Sequence, residues 1–91
     1  MQKMEFVFKS PELESIKSMG IPIEEGTFRT PPLEVIYEAP EFFLITPPEG
    51  FDTKNVIKAI RIRKESIDSV YYLIHGVKWK ESKKIGVKLD G

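Results

Sequence analysis

The fold is limited most strongly by the longest mostly apolar stretch of the sequence, residues 69–80. It reads Ser-Val-Tyr-Tyr-Leu-Ile-His-Gly-Val-Lys-Trp-Lys and holds the only histidine, the only tryptophan and two of the three tyrosines. β-Branched and aromatic residues of this kind are typical of strands that are at least half buried. We therefore predict that this stretch forms the central strand, or a pair of strands, of a small domain.

Alternation within this stretch separates its side chains onto two faces of a sheet. One face would carry Val70, Tyr72 and Ile74. The other would carry Leu73, His75, Val77 and Trp79 if Gly76, expected to form a bulge or bend, does not shift the register. The stretch is accordingly interpreted as part of the core, and function is expected on the charged segments that flank it.

Two elements are predicted before residue 21. Residues 4–9 alternate and are rich in aromatic and β-branched side chains, which indicates a strand. A short helix follows, because Ser10 suits the N-cap and Pro11 suits the first helical position, where its missing N–H would have no partner. Gly20 suits the position just after the helix, and Pro22 prevents its continuation.

Pro40 separates two further strand candidates. Residues 33–39 alternate with a period of two. One face would carry Leu33, Val35, Tyr37 and Ala39, and the other Glu34, Ile36 and Glu38. Residues 41–46 are almost continuously apolar, as in a strand that is buried on both faces. Whether the two strands form a tight hairpin is left open, because Ala39 and Pro40 do not form a preferred two-residue turn.

Residues 52–64 fit two structures. As a helix, they would be capped by Asp52 or Thr53. As a strand, their isoleucines and arginines would alternate between two faces. We favour a strand over residues 56–63, because β-branched residues lose side-chain freedom in a helix. It would be followed by a turn over residues 64–68 and a strand over residues 69–75.

The remaining segments are a loop and a closing hairpin. The loop covers residues 21–32 and contains a short extended piece over residues 27–30. The hairpin covers residues 77–89, with its turn near residues 81–83. In this hairpin, Val77 and Trp79 would face Ile85, Val87 and Leu89.

These elements predict an α+β fold within one small domain, residues 1–91. One short N-terminal helix would pack on a twisted, mainly antiparallel β-sheet or small barrel. A mostly-β protein is the alternative.

Residue types exclude most catalytic and metal-binding chemistry. The chain has no cysteine and one histidine, so it offers no thiolate and too few ligands for a zinc site. Its six glycines are scattered and form no phosphate-binding loop. His75 is interpreted as structural, because no nucleophile motif accompanies it. We therefore expect no enzyme activity, no cofactor and no metal.

The sequence also lacks the features of a membrane or secreted protein. No apolar run approaches the roughly 20 residues of a membrane helix, and no signal peptide is evident, so a cytoplasmic protein without membrane contact is expected. Amides are limited to Gln2 and Asn55 while Glu and Lys are frequent, a trend of thermophilic proteins.

Charges are divided unevenly along a chain whose net charge is zero. Residues 1–52 carry four basic and ten acidic side chains, and residues 53–91 carry ten basic and four acidic ones. One interpretation is that the acidic and basic halves pack together and neutralise each other. The other is that the basic half forms a binding surface.

The candidate binding residues are cations of the basic half. They are Lys58, Arg61, Arg63, Lys64, Lys78, Lys80, Lys83 and Lys84. Such a set can contact a protein partner, or a second copy of the chain, through complementary charge. It can also contact nucleic-acid phosphates while aromatic residues stack on bases. We expect a small non-catalytic interaction or assembly module, with nucleic-acid binding as the alternative, since the zero net charge is unlike that of a basic nucleic-acid-binding domain.

Overall fold

The computed structural model describes residues 2–48, 59–74, 76–82 and 87–89. In chain order, its elements are β1 (Gln2–Phe8), a first 3₁₀ helix (Ser10–Glu12), α1 (Leu13–Ser18), β2 (Leu33–Glu38), β3 (Phe42–Ile45), β4 (Ile60–Arg63), a second 3₁₀ helix (Lys64–Ser66), β5 (Ile67–Ile74), β6 (Val77–Ser82) and β7 (Val87–Leu89).

The seven strands form one sheet in the order β4-β3-β2-β1-β5-β6-β7. Each pair of neighbouring strands is antiparallel. The sheet is open, with β4 and β7 at its two ends, and does not close into a barrel. With one short α-helix beside this sheet, the architecture is α+β, as the sequence predicts.

One side of the sheet, called the core face, carries the hydrophobic core. Phe6 of β1 is fully buried, and its ring centroid lies 6.1 Å from that of Phe8 and 5.2 Å from that of Phe43. Ile16 of α1 and Ile21 of the following loop are buried in the same cluster. The other strand residues of the core are Met4, Leu33, Val35, Ile45, Ile62, Ile67 and Val70. The opposite side of the sheet is called the outer face.

The predicted helix is present, but it starts differently. Ser10–Glu12 form a 3₁₀ helix and α1 begins only at Leu13, so the assignment of Ser10 as N-cap is wrong. The residue before the 3₁₀ helix is Lys9, and no side-chain hydrogen bond caps either helix. Gly20 follows α1 with a φ of +87°, as expected of the residue that ends a helix.

The loop over residues 21–32 contains the predicted extended piece. Arg29 forms an antiparallel bridge with Val7, and the N–H of Thr30 donates to the carbonyl of Phe6 at 2.9 Å. The hydroxyl of the buried Thr30 accepts a hydrogen bond from the N–H of Phe6 at 3.0 Å. The piece therefore lies along the second half of β1 and holds Arg29 beside the sheet.

β2 and β3 form the hairpin that the sequence left open, but the face assignments of Tyr37 and Glu38 are wrong. The register passes from the Val35–Ile45 pair directly to the Tyr37–Leu44 pair. Ile36 is therefore an extra residue, a β-bulge, which exchanges the faces of the residues after it. Tyr37, expected beside Val35 in the core, lies instead on the outer face and is 56% exposed.

The apolar stretch forms a strand pair, β5 and β6, with a turn at Gly76. Gly76 has a φ of +76°, which glycine adopts without steric cost. The expected bulge or bend with unchanged register is wrong, because the chain reverses direction here. Val77 lies opposite Ile74, and Trp79 lies opposite Tyr72, so these four residues share the core face.

The region that fitted both helix and strand is a strand where the structure describes it. β4 occupies Ile60–Arg63, while residues 49–58, including the start of the predicted strand, lie outside the described residues. The turn predicted over residues 64–68 is a 3₁₀ helix that ends at Ser66. β5 consequently begins two residues earlier than expected.

The closing hairpin has a different register from the predicted one. β6 continues to Ser82, and its partner residues in β7 are Leu89 for Lys80 and Val87 for Ser82. The expectation that Trp79 pairs on one face with Val87 and Leu89 is therefore wrong. These two residues lie opposite Ser82 and Lys80, and Trp79 alternates with Lys80 along β6. The predicted partner Ile85 lies outside the described residues.

Substitution of Gly76 tests the hairpin turn. A side chain at positive φ costs about 1–2 kcal/mol, and asparagine tolerates this conformation better than other residues. We expect Gly76→Val to lower the free energy of unfolding by about that amount and Gly76→Asn by clearly less, measured by urea unfolding. A Cβ placed at Gly76 meets no atom within 4 Å, so the loss reports backbone conformation rather than a clash. Equal stability of Gly76→Val and wild type would contradict the turn.

Candidate functional site

Five of the eight candidate cations lie among the described residues, and they occupy three places. Arg61 and Arg63 lie on the outer face of β4, because Ile60 and Ile62, which alternate with them, face the core. Lys64 follows in the second 3₁₀ helix. The outer face of β6 carries Lys78 and Lys80, which alternate with Trp79. The positions outside the described residues are Lys58, Lys83 and Lys84.

The structure does not bring these five cations together. Four strands, β3, β2, β1 and β5, lie between β4 and β6. With about 4.8 Å per strand, the two arginines are on the order of 24 Å from the two outer-face lysines along the sheet. The described cations thus form separate groups rather than one continuous basic surface.

The lysines of β6 belong to an outer-face charge cluster centred on Glu5. Glu5 is only 6% exposed, although it lies on the outer face of β1. Its Oε1 accepts a hydrogen bond from Arg29 Nε at 2.8 Å and lies 2.7 Å from Arg29 Nη2. Its Oε2 lies 3.1 Å from Lys78 Nζ. Two cations thus enclose one carboxylate and shield it from water.

The balance of forces at Glu5 favours the ionised carboxylate. Burial by itself would raise the pKa of Glu5. The hydrogen bonds from Lys78 and Arg29, together with their positive charges, outweigh burial and hold this pKa below its ordinary value of 4.5. The carboxylate therefore remains charged at neutral pH and stabilises the fold there.

Tyr71 completes the outer-face charge cluster. The guanidinium carbon of Arg29 lies 4.1 Å from the centre of the Tyr71 ring, and Lys80 Nζ lies 5.9 Å from it. Cations attract the negative face of an aromatic ring, so Arg29 is held from two directions. We interpret this cluster as the device that fixes the extended piece containing Arg29 on the sheet.

A second polar cluster lies on the core face near its edge. Lys64 Nζ lies 2.6 Å from Glu38 Oε2 and 4.9 Å from the centre of the Phe43 ring. Burial, and then the charges of Glu81 and Glu38, raise the pKa of Tyr72 to about 12, so its phenol is protonated at neutral pH. A cavity whose lining includes Glu38, Phe43, Lys64 and Glu81 measures about 70 Å³, far below the roughly 300 Å³ of ordinary ligand pockets.

Among the residues that the structure describes, the most exposed aromatic side chain is Tyr37. It belongs to an outer-face group that we call the aromatic–arginine patch: Tyr37, Phe42, Leu44 and Arg61. Tyr37 and Arg61 both lie opposite Leu44, on its two sides. The ring of Phe42 lies 6.4 Å from that of Tyr37, and the guanidinium carbon of Arg61 lies 5.5 Å from the centre of the Phe42 ring. Large side chains from three neighbouring strands thus form one continuous surface.

Sequence reasoning missed two residues of these clusters. Tyr37 was placed in the core, and no glycine or proline signalled the bulge that moves it to the outer face. Arg29 was counted only as a cation of the acidic half, because the path of a long loop over a sheet has no local sequence signature. Arg61, by contrast, was predicted on an exposed strand face, which the structure confirms.

Comparison with known protein families, with curated proteins and with solved structures found no match. Among the residues that the structure describes, no three histidine, aspartate or glutamate side chains come together in a way that could hold a metal ion. In that same part of the chain, no helix has the length and apolar character needed to span a membrane.

Neutralisation of Glu5 tests the outer-face charge cluster. We expect Glu5→Gln to lower the free energy of unfolding at pH 7 by about 1–2 kcal/mol, because the charged hydrogen bonds between Glu5 and its two cations are lost. The loss is limited to this size because both cations are partly exposed to solvent. Since the folded-state pKa lies below 4.5, this contribution is complete above pH 4.5 and is lost as the pH falls through the folded-state pKa. Urea unfolding between pH 3 and pH 7 measures the difference.

The matched control is Glu25→Gln, a change at an exposed glutamate in the loop before β2. It should alter the free energy of unfolding by less than about 0.5 kcal/mol at each pH. A difference between wild type and Glu5→Gln that stayed constant down to pH 3 would show that the Glu5 carboxylate does not titrate as described.

Proposed function

We propose that this chain is a small non-catalytic interaction module that binds a protein partner through the aromatic–arginine patch. The observation that supports this most directly is the exposure of Tyr37. It lies on β2, an interior strand, yet 56% of its surface is open to solvent. An aromatic ring held on a rigid strand offers a large contact area while little conformational entropy is lost on binding.

Arg61 supports the same proposal. Of the five described candidate cations, Arg63, Lys64 and Lys78 are bound to carboxylates. Arg61 forms no ion pair within the described residues and rests on the Phe42 ring instead. Its guanidinium donors therefore remain directed at solvent, where a partner's carboxylate or carbonyl groups are able to accept them.

A non-catalytic role agrees with how the two polar clusters are built. The carboxylates of Glu5 and Glu38 are occupied by ion pairs, and the Tyr72 phenol is held protonated. These arrangements favour a stable fold rather than proton transfer or nucleophilic attack, which need a group near its pKa at neutral pH. We therefore assign the function to interaction through the exposed surface residues.

Nucleic-acid binding is the second candidate, and Tyr71 is the observation that favours it. Its ring lies on the same outer face as the patch and is flanked by Arg29 and Lys80, a combination suited to base stacking beside a phosphate. Nucleic-acid binding is disfavoured because two cations near Tyr71, Arg29 and Lys78, are already bound to Glu5. Fluorescence anisotropy with single-stranded oligonucleotides at low salt measures this activity. A salt-dependent signal that is lost in Tyr71→Ala/Lys80→Glu would favour it over protein binding.

The primary test compares the wild-type chain with the double variant Tyr37→Ala/Arg61→Ala. Both are immobilised and exposed to an extract of the native cells, and proteins retained by the wild type are then purified and titrated by calorimetry. We expect the double variant to bind at least about tenfold more weakly, because exposed aromatic and arginine residues provide most of the affinity at interface centres. Light scattering of the free chain measures whether a second copy is the partner.

Phe28→Ala is the matched control, since Phe28 is 44% exposed and lies outside the patch. It should bind with wild-type affinity, and thermal unfolding of each variant verifies that it is folded. The proposal is wrong if the double variant retains wild-type affinity for each recovered protein and for a second copy. It is also wrong if the chain is a monomer that retains no protein.

A further inference from the structure

β4 lies at one end of the sheet, beside the aromatic–arginine patch. In the part of the chain that the structure describes, β4 pairs with β3 and with no other strand. Edge strands carry backbone donors and acceptors that are able to pair with an added strand. We propose that this edge binds an extended, acidic peptide segment of the protein partner, which joins the sheet as an antiparallel strand; this deepens, and rests on, the proposed function.

Hydrogen-bond alternation identifies the backbone groups that are free for this pairing. The N–H of Lys64 donates to the carbonyl of Glu41 at 2.9 Å, so the backbone of residue 64 points toward β3. In an antiparallel pair, alternate residues point toward the same neighbour. The backbone of Ile62 therefore also points toward β3, and the N–H and C=O groups of Arg61 and Arg63 point toward the open edge.

The side chains of β4 determine the chemistry of the added strand. Residues of that strand that bond to the backbone of Arg61 and Arg63 would place their side chains on the outer face, directly beside the two guanidinium groups. Opposite charges across strands stabilise the pairing, so acidic residues are favoured at these positions. The intervening residues would lie beside Ile60 and Ile62 on the core face, where apolar side chains are favoured. The expected ligand therefore alternates acidic and apolar residues.

The charges on β4 disfavour a second copy of this chain as the occupant. Two β4 strands that paired about a two-fold axis perpendicular to the sheet would place Arg61 opposite Arg63, or, in a shifted register, one of the two arginines opposite its own copy. Like charges directly opposite each other destabilise a strand pair. Arg63 already has a carboxylate neighbour, Glu65, but both side chains are more than 60% exposed, so this ion pair is easily exchanged.

Peptide titration with amide exchange tests the proposal. The probe is a capped, labelled peptide of about seven residues in which glutamate and valine alternate, a length that matches an ordinary strand. Its control is a scrambled peptide of identical composition. We expect the alternating peptide to bind at least about tenfold more tightly and to slow hydrogen exchange at the amides of Arg61 and Arg63, but not at Ile62. Equal affinity for both peptides, or unchanged exchange at these two amides, would overturn the proposal.

One pair of single variants and one double variant separate the backbone and charge contributions. Arg61→Ala removes the guanidinium and keeps the N–H, whereas Arg61→Pro removes both at an edge position that tolerates proline. Arg61→Pro should bind the alternating peptide more weakly than Arg61→Ala does. Arg61→Glu/Arg63→Glu should lose this peptide and bind one in which lysine replaces glutamate. Retention of the acidic peptide by that variant would contradict the charge assignment.

The same variants distinguish this proposal from the proposed function. A natural partner that depends on Tyr37, but binds Arg61→Pro and Arg61→Ala equally well, would uphold the patch and overturn strand addition. Protection of the Arg61 and Arg63 amides by the alternating peptide, with no partner that depends on Tyr37, would uphold strand addition and overturn the patch.

Discussion

Backbone pairing along both edges of β1 is the interaction on which the other segments depend. On one edge, β1 pairs with β5 from Met4 to Phe8. On the other edge, its first residues pair with β2 and its last residues with the extended piece around Thr30. Three segments distant in sequence therefore meet on one strand. The alternation of β1 then supplies both sides of the structure, since Phe6 anchors the core and Glu5 anchors the outer-face charge cluster.

This topology also explains the uneven distribution of charge along the chain. Strands of the acidic half, β1 and β3, lie next to strands of the basic half, β5 and β4. The Glu5–Lys78 and Glu38–Lys64 ion pairs join the two halves, so charges that are separated in sequence neutralise each other in space. The interpretation that the halves neutralise each other is thus confirmed at these pairs. Arg61 and Lys80, which have no carboxylate partner among the described residues, both remain on the outer face over aromatic rings.

The sequence predicts the class of fold and most of the elements, because strand alternation and the glycine and proline signals are local. It also places Arg61 and Arg63 correctly on one exposed face of a strand. Gly76 offered part of the signal for the turn, since two-residue hairpin turns need a positive φ that glycine adopts readily, but the pair His75-Gly76 is not one of the preferred turn pairs. The bulge at Ile36 was not, because it arises from the fit between two strands and no special residue marks it. The contact between Arg29 and Glu5 depends on the path of a long loop over β1, which likewise no local pattern encodes.

The unpredictable bulge and the open edge of β4 act on the same surface. Without the extra residue at Ile36, Tyr37 would point into the core and the outer face of β2 would carry Glu38 instead. With it, Tyr37 on β2, Phe42 and Leu44 on β3 and Arg61 on β4 follow one another toward the edge. A strand added at that edge would extend this row by one position, with its outer-face side chains beside Arg61. The proposed side-chain recognition by the patch and the proposed backbone recognition by the edge would therefore be continuous, and one bound segment would be able to use both.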